Sequence, residues 1–128
     1  MNSDIFAQLL DCARETLETS PKTPFSQAIA LKTAKGNTYC FSTPSFTEEP
    51  EAFAAAEDRI LSALQEREER GVEALVTMWA DGCVDLPSYR FREKLLALDP
   101  CNRETEILLL AAEGAYATRS IGDCMPEK

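Results

Sequence analysis

Residues 72–80 contain Ala74-Leu75-Val76-Thr77-Met78-Trp79-Ala80, a run that is nearly all apolar and shows no alternation. A half-exposed strand alternates, so such a run reads as a strand covered on both faces. It belongs at the centre of a sheet, and the rest of the chain has to supply a layer for each face. With 128 residues and 45% hydrophobic side chains, there is enough material for a single domain over residues 1–128.

Elements that could form those layers flank the run. Ile5, Phe6, Leu9, Leu10, Ala13 and Leu17 recur at three-and-four spacing and predict an amphipathic helix over residues 4–17. Pro21 and Pro24 punctuate the chain after it. Residues 25–33 and 38–43 flank Ala34-Lys35-Gly36-Asn37 and read as a β-hairpin. Beyond a Pro-containing loop, Phe53, Ala56, Ile60 and Leu64 mark one face of a helix over about 51–70, with Asp58, Gln65, Glu68 and Glu69 outward and Gly71 as its stop. The charge run 65–70 reads as a solvated helix end. After the central strand, Asp81-Gly82 turns the chain, Asp85 is available as a cap, and Pro87 suits a first turn. Phe91, Leu95 and Leu98 line the next helix, which Asp99-Pro100 stops. Residues 105–110 form a core-like strand and 114–118 a weaker one. Strands alternating with helices after a hairpin predict a mixed sheet of about five strands flanked by helices.

The chain has no histidine, which removes the commonest general base and the commonest metal ligand together. Carboxylate, Cys, Lys or Tyr chemistry remains. A net charge of -9, with Lys and Arg scattered, argues against a nucleic-acid groove. Cys12, Cys40, Cys83, Cys101 and Cys124 form no C-x-x-C pair and read as reduced thiols. No run approaches the roughly 18 apolar residues of a membrane span, and Met1-Asn2-Ser3-Asp4 lacks the basic start of a signal peptide. The expectation is a cytoplasmic protein with no nucleic-acid or membrane partner.

Two helix starts carry the outline of a site: Ala55-Ala56-Glu57, and Pro87-Ser88-Tyr89-Arg90-Phe91-Arg92-Glu93. Pro24-Phe25-Ser26-Gln27-Ala28-Ile29-Ala30-Leu31 precedes them, Lys35-Gly36 lies in the hairpin, and Ile121-Gly122-Asp123-Cys124-Met125-Pro126 follows. In this order the motifs resemble the cytidine deaminase family, blasticidin-type deaminases included, over almost the whole chain. The resemblance implies a cytidine-deaminase-like three-layer α/β/α fold. It also implies a zinc-deaminase site, in which one helix start brings a Cys or His with a Glu two residues on, and the other brings Pro-Cys-x-x-Cys. Carried over, it makes Glu57 the position of the proton-shuttling glutamate and places Phe25, Ser45, Ala56, Pro87, Ser88 and Phe91 around the pocket. A Glu near a helix start is also what capping and the helix dipole favour.

The departures bear on function. The family's ligand positions hold Ala55, Ser88 and Phe91: no donor, a hydroxyl and a hydrocarbon ring. Zinc lowers the pKa of its bound water from 15.7 to about 7, and forgoing that makes hydroxide harder to form by on the order of 12 kcal/mol. The family's ribose-holding Asn-x-Glu-Asn is replaced by Ser42-Thr43-Pro44-Ser45-Phe46. No metal and no cofactor are expected. The leading expectation is a non-catalytic protein that binds a nucleoside-like ligand or serves as an assembly partner, as a homo-oligomer (dimer or tetramer) or with a paralogous chain. Trp79, Tyr89, Phe46 and Tyr116 are the aromatics available to such an interface. Two alternatives are a structural subunit whose pocket is closed, with Phe91 filling it, and an active deaminase or other hydrolase with an atypical site using Glu57, Cys83 or Tyr89. Cys83 is included because it stands near the second helix start.

Overall fold

Nearly every residue of strands β1 (Gln27–Thr33) and β3 (Val72–Trp79) is buried, as the apolar run requires. The computed structural model describes residues 3–19, 26–110 and 116–125. Helix α1 (Ser3–Thr19) precedes β1, which forms a hairpin with β2 (Thr38–Ser42). Helix α2 (Pro50–Glu66) leads into β3, followed by the two-residue β4 (Val84–Asp85), helix α3 (Tyr89–Leu98), a 3-10 turn (Pro100–Glu104), β5 (Glu106–Leu110) and β6 (Tyr116–Ser120).

The sheet is mixed and has six strands in the order β2-β1-β3-β5-β6, with β4 pairing β3 beside that path. Only β3 and β5 run parallel, because α3 and the 3-10 turn carry the chain back between them. The sixth strand, β4, pairs only Asp85 and Val84 with Thr77 and Met78, too short a run to show a period in the sequence.

Alternation assigns the two faces. Ala28, Ala30, Ala74, Val76 and Met78 turn toward α1 and pack with Phe6, Leu9, Ala13 and Leu17. Ile29, Leu31, Val72 and Leu75 turn the other way and pack with Ile60, Leu61 and Leu64 of α2 and Phe91 and Leu95 of α3. The result is the expected three-layer α/β/α arrangement.

Local expectations are corrected at three places. The helix expected to reach Gly71 ends at Glu66; Glu68 then adopts φ 57, a left-handed turn made without glycine. The charge run is not all solvated, because Glu69 is buried with 5% exposure. Its carboxylate accepts from Thr33 Oγ1 at 2.7 Å, from Asn37 Nδ2 at 2.7 Å and from the Tyr39 hydroxyl. Those donors, Tyr39 foremost, hold its pKa down to about 2 against the opposing effect of burial. The network links the end of α2 to the hairpin, and it offsets the conformational cost at Glu68. The third correction is the weak strand, which begins at Tyr116 and runs to Ser120; the residues expected to start it, 114 and 115, lie outside the described ones.

Buried Asn102 makes a similar link for α3. Its Nδ2 donates to the carbonyls of Leu95 at 2.8 Å and Arg70 at 2.9 Å, while its Oδ1 accepts from the Val72 amide at 2.8 Å. The C-terminal ends of α2 and α3 are thereby tied to the end of the sheet where β1 finishes and β3 begins. Their starts lie over the opposite end, where β1 begins at Gln27 and β3 finishes at Trp79.

Candidate ligand site at two helix starts

Pro50 opens α2 in a position where its missing N–H costs nothing. On the face turned inward, Glu57 is buried with 1% exposure among apolar neighbours such as Phe53, Ala56 and Ile60. Across from it, α3 starts at Tyr89 and is capped by Ser88, not by Asp85, whose Oδ1 accepts from the next amide, Leu86 N, at 2.7 Å. Pro87 precedes the cap instead of sitting in the first turn. The Ser88 hydroxyl has two roles: it accepts from the Phe91 amide at 3.1 Å and donates to Glu57 Oε2 at 2.8 Å.

Arg90 completes the cluster. Its guanidinium lies 3.5 Å from Glu57 Oε1 and donates to both oxygens of Asp58 at 2.8 Å. It also reaches the Ala54 carbonyl at 3.4 Å, and Lys94 stands 3.7 Å from Asp58. Burial raises the pKa of Glu57 above the usual carboxylate value, more than the Ser88 hydrogen bond and the Arg90 charge lower it. Arg90 lowers that of Asp58, and Asp58 in turn raises that of Arg90. The cluster grades from an enclosed carboxyl, which burial makes less acidic than an ordinary one, to a half-exposed ion pair.

The β2–α2 connection closes over the same end of the sheet: the Gln27 amide donates to Thr43 Oγ1 at 3.1 Å, and the Thr43 amide to the Gln27 carbonyl at 2.9 Å. Buried Ser45 accepts from the Glu48 amide at 3.2 Å and stands 3.3 Å from Thr47 Oγ1, so its contacts with these residues lie within its own turn. Of the residues the sequence singled out, Glu57, Ser88 and Phe91 are joined directly by hydrogen bonds or by the cap. Ala56 and Pro87 adjoin them and are buried. Phe25 lies outside the described residues.

The residues at the family's zinc-ligand positions do not fit zinc. Ala55 presents an exposed methyl group, Ser88 already serves the cap and Glu57, and the Phe91 ring is fully buried in the apolar core. Cys83 forms no hydrogen bond to Glu57, Ser88 or Arg90 among the contacts of the described residues. It sits exposed in the β3–β4 turn, its amide bonded to Asp81 Oδ1 at 2.9 Å, and Asp81 raises its thiol above the ordinary value, against reactivity. Tyr89 is exposed and stacks beneath Arg92, 5.6 Å from ring centre to guanidinium. Phe46, also exposed, meets Phe53 edge-on at 5.2 Å, while Trp79 is half-buried and Tyr116 lies exposed on β6.

Sequence reasoning missed Arg90 and Asp58. No local signal in the sequence pairs Asp58, midway along α2, with Arg90 in the first turn of α3. A separate cavity of about 800 Å³ opens at the far end of the sheet, lined by Gly71, Glu73, Asn102, Glu106, Arg119 and Asp123, away from this chemistry.

No protein-family model matches the chain, and no curated protein does. Its fold is similar to solved cytidine deaminases. The enzyme from Mycobacterium leprae superposes with a TM-score of 0.67 at 17% identity, over 95% of this chain and 98% of that one. The Mycobacterium tuberculosis enzyme gives 0.67 at 20%, over 95% and 94%, and the Bacillus anthracis enzyme 0.71 at 14%, over 97% and 89%. At such identities the likeness shows the fold: the chain has the cytidine-deaminase-like α/β architecture. No helix among the described residues is long and apolar enough to cross a membrane.

Proposed function

We propose that this chain uses the cytidine-deaminase scaffold to bind a nucleoside-like ligand without zinc-dependent hydrolysis. The observation that carries this reading is the engagement of Glu57 by Ser88 and Arg90. Where the resemblance implies a divalent metal, a hydroxyl and a guanidinium meet the carboxyl. Arg90 supplies positive charge but no Lewis acid, so it generates no hydroxide near pH 7. Ser88 and Arg90 orient Glu57, and its enclosed carboxyl can hold a proton and offer it as a hydrogen bond to a neutral ligand.

Elemental analysis of untagged protein produced with zinc in the medium tests this, together with cytidine, deoxycytidine and blasticidin deamination assays on the wild type and Glu57→Gln. The expected result is no stoichiometric zinc and no Glu57-dependent turnover. Stoichiometric zinc with turnover that Glu57→Gln abolishes would overturn the reading and restore a nucleoside deaminase.

A second reading, an assembly partner in a dimer or tetramer, is favoured by Phe46 and Tyr89, both exposed and both next to the elements that build the site. Light scattering that reports a monomer across concentrations would remove it.

A further inference from the structure

Two buried polar atoms at the same end of the sheet have no hydrogen-bond partner among the described residues: Gln27 Oε1 and Thr77 Oγ1. Gln27 is 2% exposed and Thr77 0%. Buried polar groups are nearly always paired, so two orphans on neighbouring strands ask for a partner that no described residue supplies.

Register places both on one face. Ile29 stands opposite Thr77 and Gln27 opposite Trp79, so Gln27 and Thr77 share the face of Ile29 and Leu31, which is turned to α2 and α3. From Thr33, bonded to Glu69 at the far end, β1 runs back to Gln27 over about 20 Å at roughly 3.3 Å per residue. From its end at Glu66, α2 runs back to Glu57 over about 14 Å at roughly 1.5 Å per residue, toward the same end. The orphan pair therefore lies toward the end of the sheet over which α2 runs back past Glu57 and α3 starts after Ser88. Thr43 holds the Gln27 backbone in place through two hydrogen bonds.

We infer that Gln27 and Thr77 form the polar floor of this site and receive the edge of a neutral cyclic amide, which offers an N–H donor beside a carbonyl acceptor. The inference rests on the proposed reading of the site as a nucleoside-like binder. A side-chain amide can present oxygen or nitrogen and a threonine hydroxyl can donate or accept, so the pair can match a donor and an acceptor at once. Gln27 and Thr77 carry no charge, and the guanidinium of Arg90 is occupied by Asp58 and Glu57. A charged ligand edge has no counterpart there.

The test uses the full chain, with uridine as the cyclic-amide probe and cytidine, whose ring lacks the N–H, as its counterpart, read by thermal shift and calorimetry. Uridine is expected to raise Tm saturably and to bind more tightly than cytidine. Gln27→Met and Thr77→Val should each weaken uridine binding by roughly tenfold or more while leaving the free protein as stable as before or more so, because an apolar group replaces an unpaired polar one. Thr77→Ser, which keeps the hydroxyl, should retain binding. If uridine binds the folded Gln27→Met and Thr77→Val variants as it binds the wild type, the pair holds only ordered water and the inference falls while the binder reading stands. Cytidine binding more tightly than uridine would overturn the cyclic-amide assignment. If no nucleoside stabilises the wild type, the binder reading falls and the inference with it.

Discussion

Glu57 and Glu69 are both carboxyls withdrawn from water, one on the inner face of α2 and one just past its end, yet their acidities are displaced in opposite directions. Burial raises the pKa of both. Glu69 overcomes it because Tyr39, Thr33 and Asn37 all donate to it, and it stays ionised as a link between helix and hairpin. Glu57 receives one hydroxyl and a guanidinium that Asp58 also claims, and burial prevails. Burial alone, then, does not identify a functional carboxyl. The group to look for is one that its neighbours orient without satisfying, because only that group can still exchange a proton or accept a new partner.

This contrast can be broken most directly by removing each charge. Glu69→Gln should cause the largest loss, lowering the urea midpoint clearly more than Glu57→Gln, which should leave it unchanged or raise it; equal losses would break the comparison. The pH dependences should also have opposite signs. Glu69 is more acidic folded than unfolded, so its contribution is present above about pH 4.5 and is lost as pH falls toward about 2. Glu57 is less acidic folded, so its contribution is full below the ordinary carboxylate range and is lost as pH rises through its displaced value. Urea midpoints across this range should therefore lose their acid-side fall in Glu69→Gln and their fall above it in Glu57→Gln.

Smaller effects sharpen the contrast. Ser88→Ala removes both the helix cap and the donor to Glu57; it should cost about 1 kcal/mol in chemical denaturation and move the Glu57 titration, followed by carbon-detected NMR, further upward. Arg90→Met should cost least, about 0.2–1 kcal/mol, because Arg90 and Asp58 are 38% and 48% exposed and solvent screens them. It should return Asp58 to an ordinary titration and raise that of Glu57. An unmoved Glu57 titration would show that Arg90 does not act on it.

What the sequence made legible was local. Three-and-four spacing marked α1, Gly36 and Asn37 marked the hairpin, where Gly36 indeed takes φ 94, and the unbroken apolar run marked β3. What stayed hidden was set by partners far along the chain. Nothing near Glu69 announces Thr33 or Tyr39, so a run of charges looked solvated and the turn at Glu68 passed unseen. Arg90 meets Asp58 only because two helix starts converge. Ser88 was visible as a pocket position but Asp85 was read as the cap, until the fold showed the Ser88 hydroxyl facing the Phe91 amide. Gln27 and Thr77 were read as ordinary strand residues because an unpaired polar atom is a property of the packed structure alone.

The place of β3 in the sheet also governs the order in which the molecule can come together. Both apolar clusters draw central residues from this strand, and Ile29 finds Thr77 only after the whole of α2 has intervened. Such non-local pairing is slow compared with closing the β1–β2 hairpin. As the chain is synthesised, α1, the hairpin and α2 must therefore wait for β3 before either core can close, and Ser88 follows later still. Glu57 can therefore meet Ser88 and Arg90 only once β3, which precedes them in the chain, has been made.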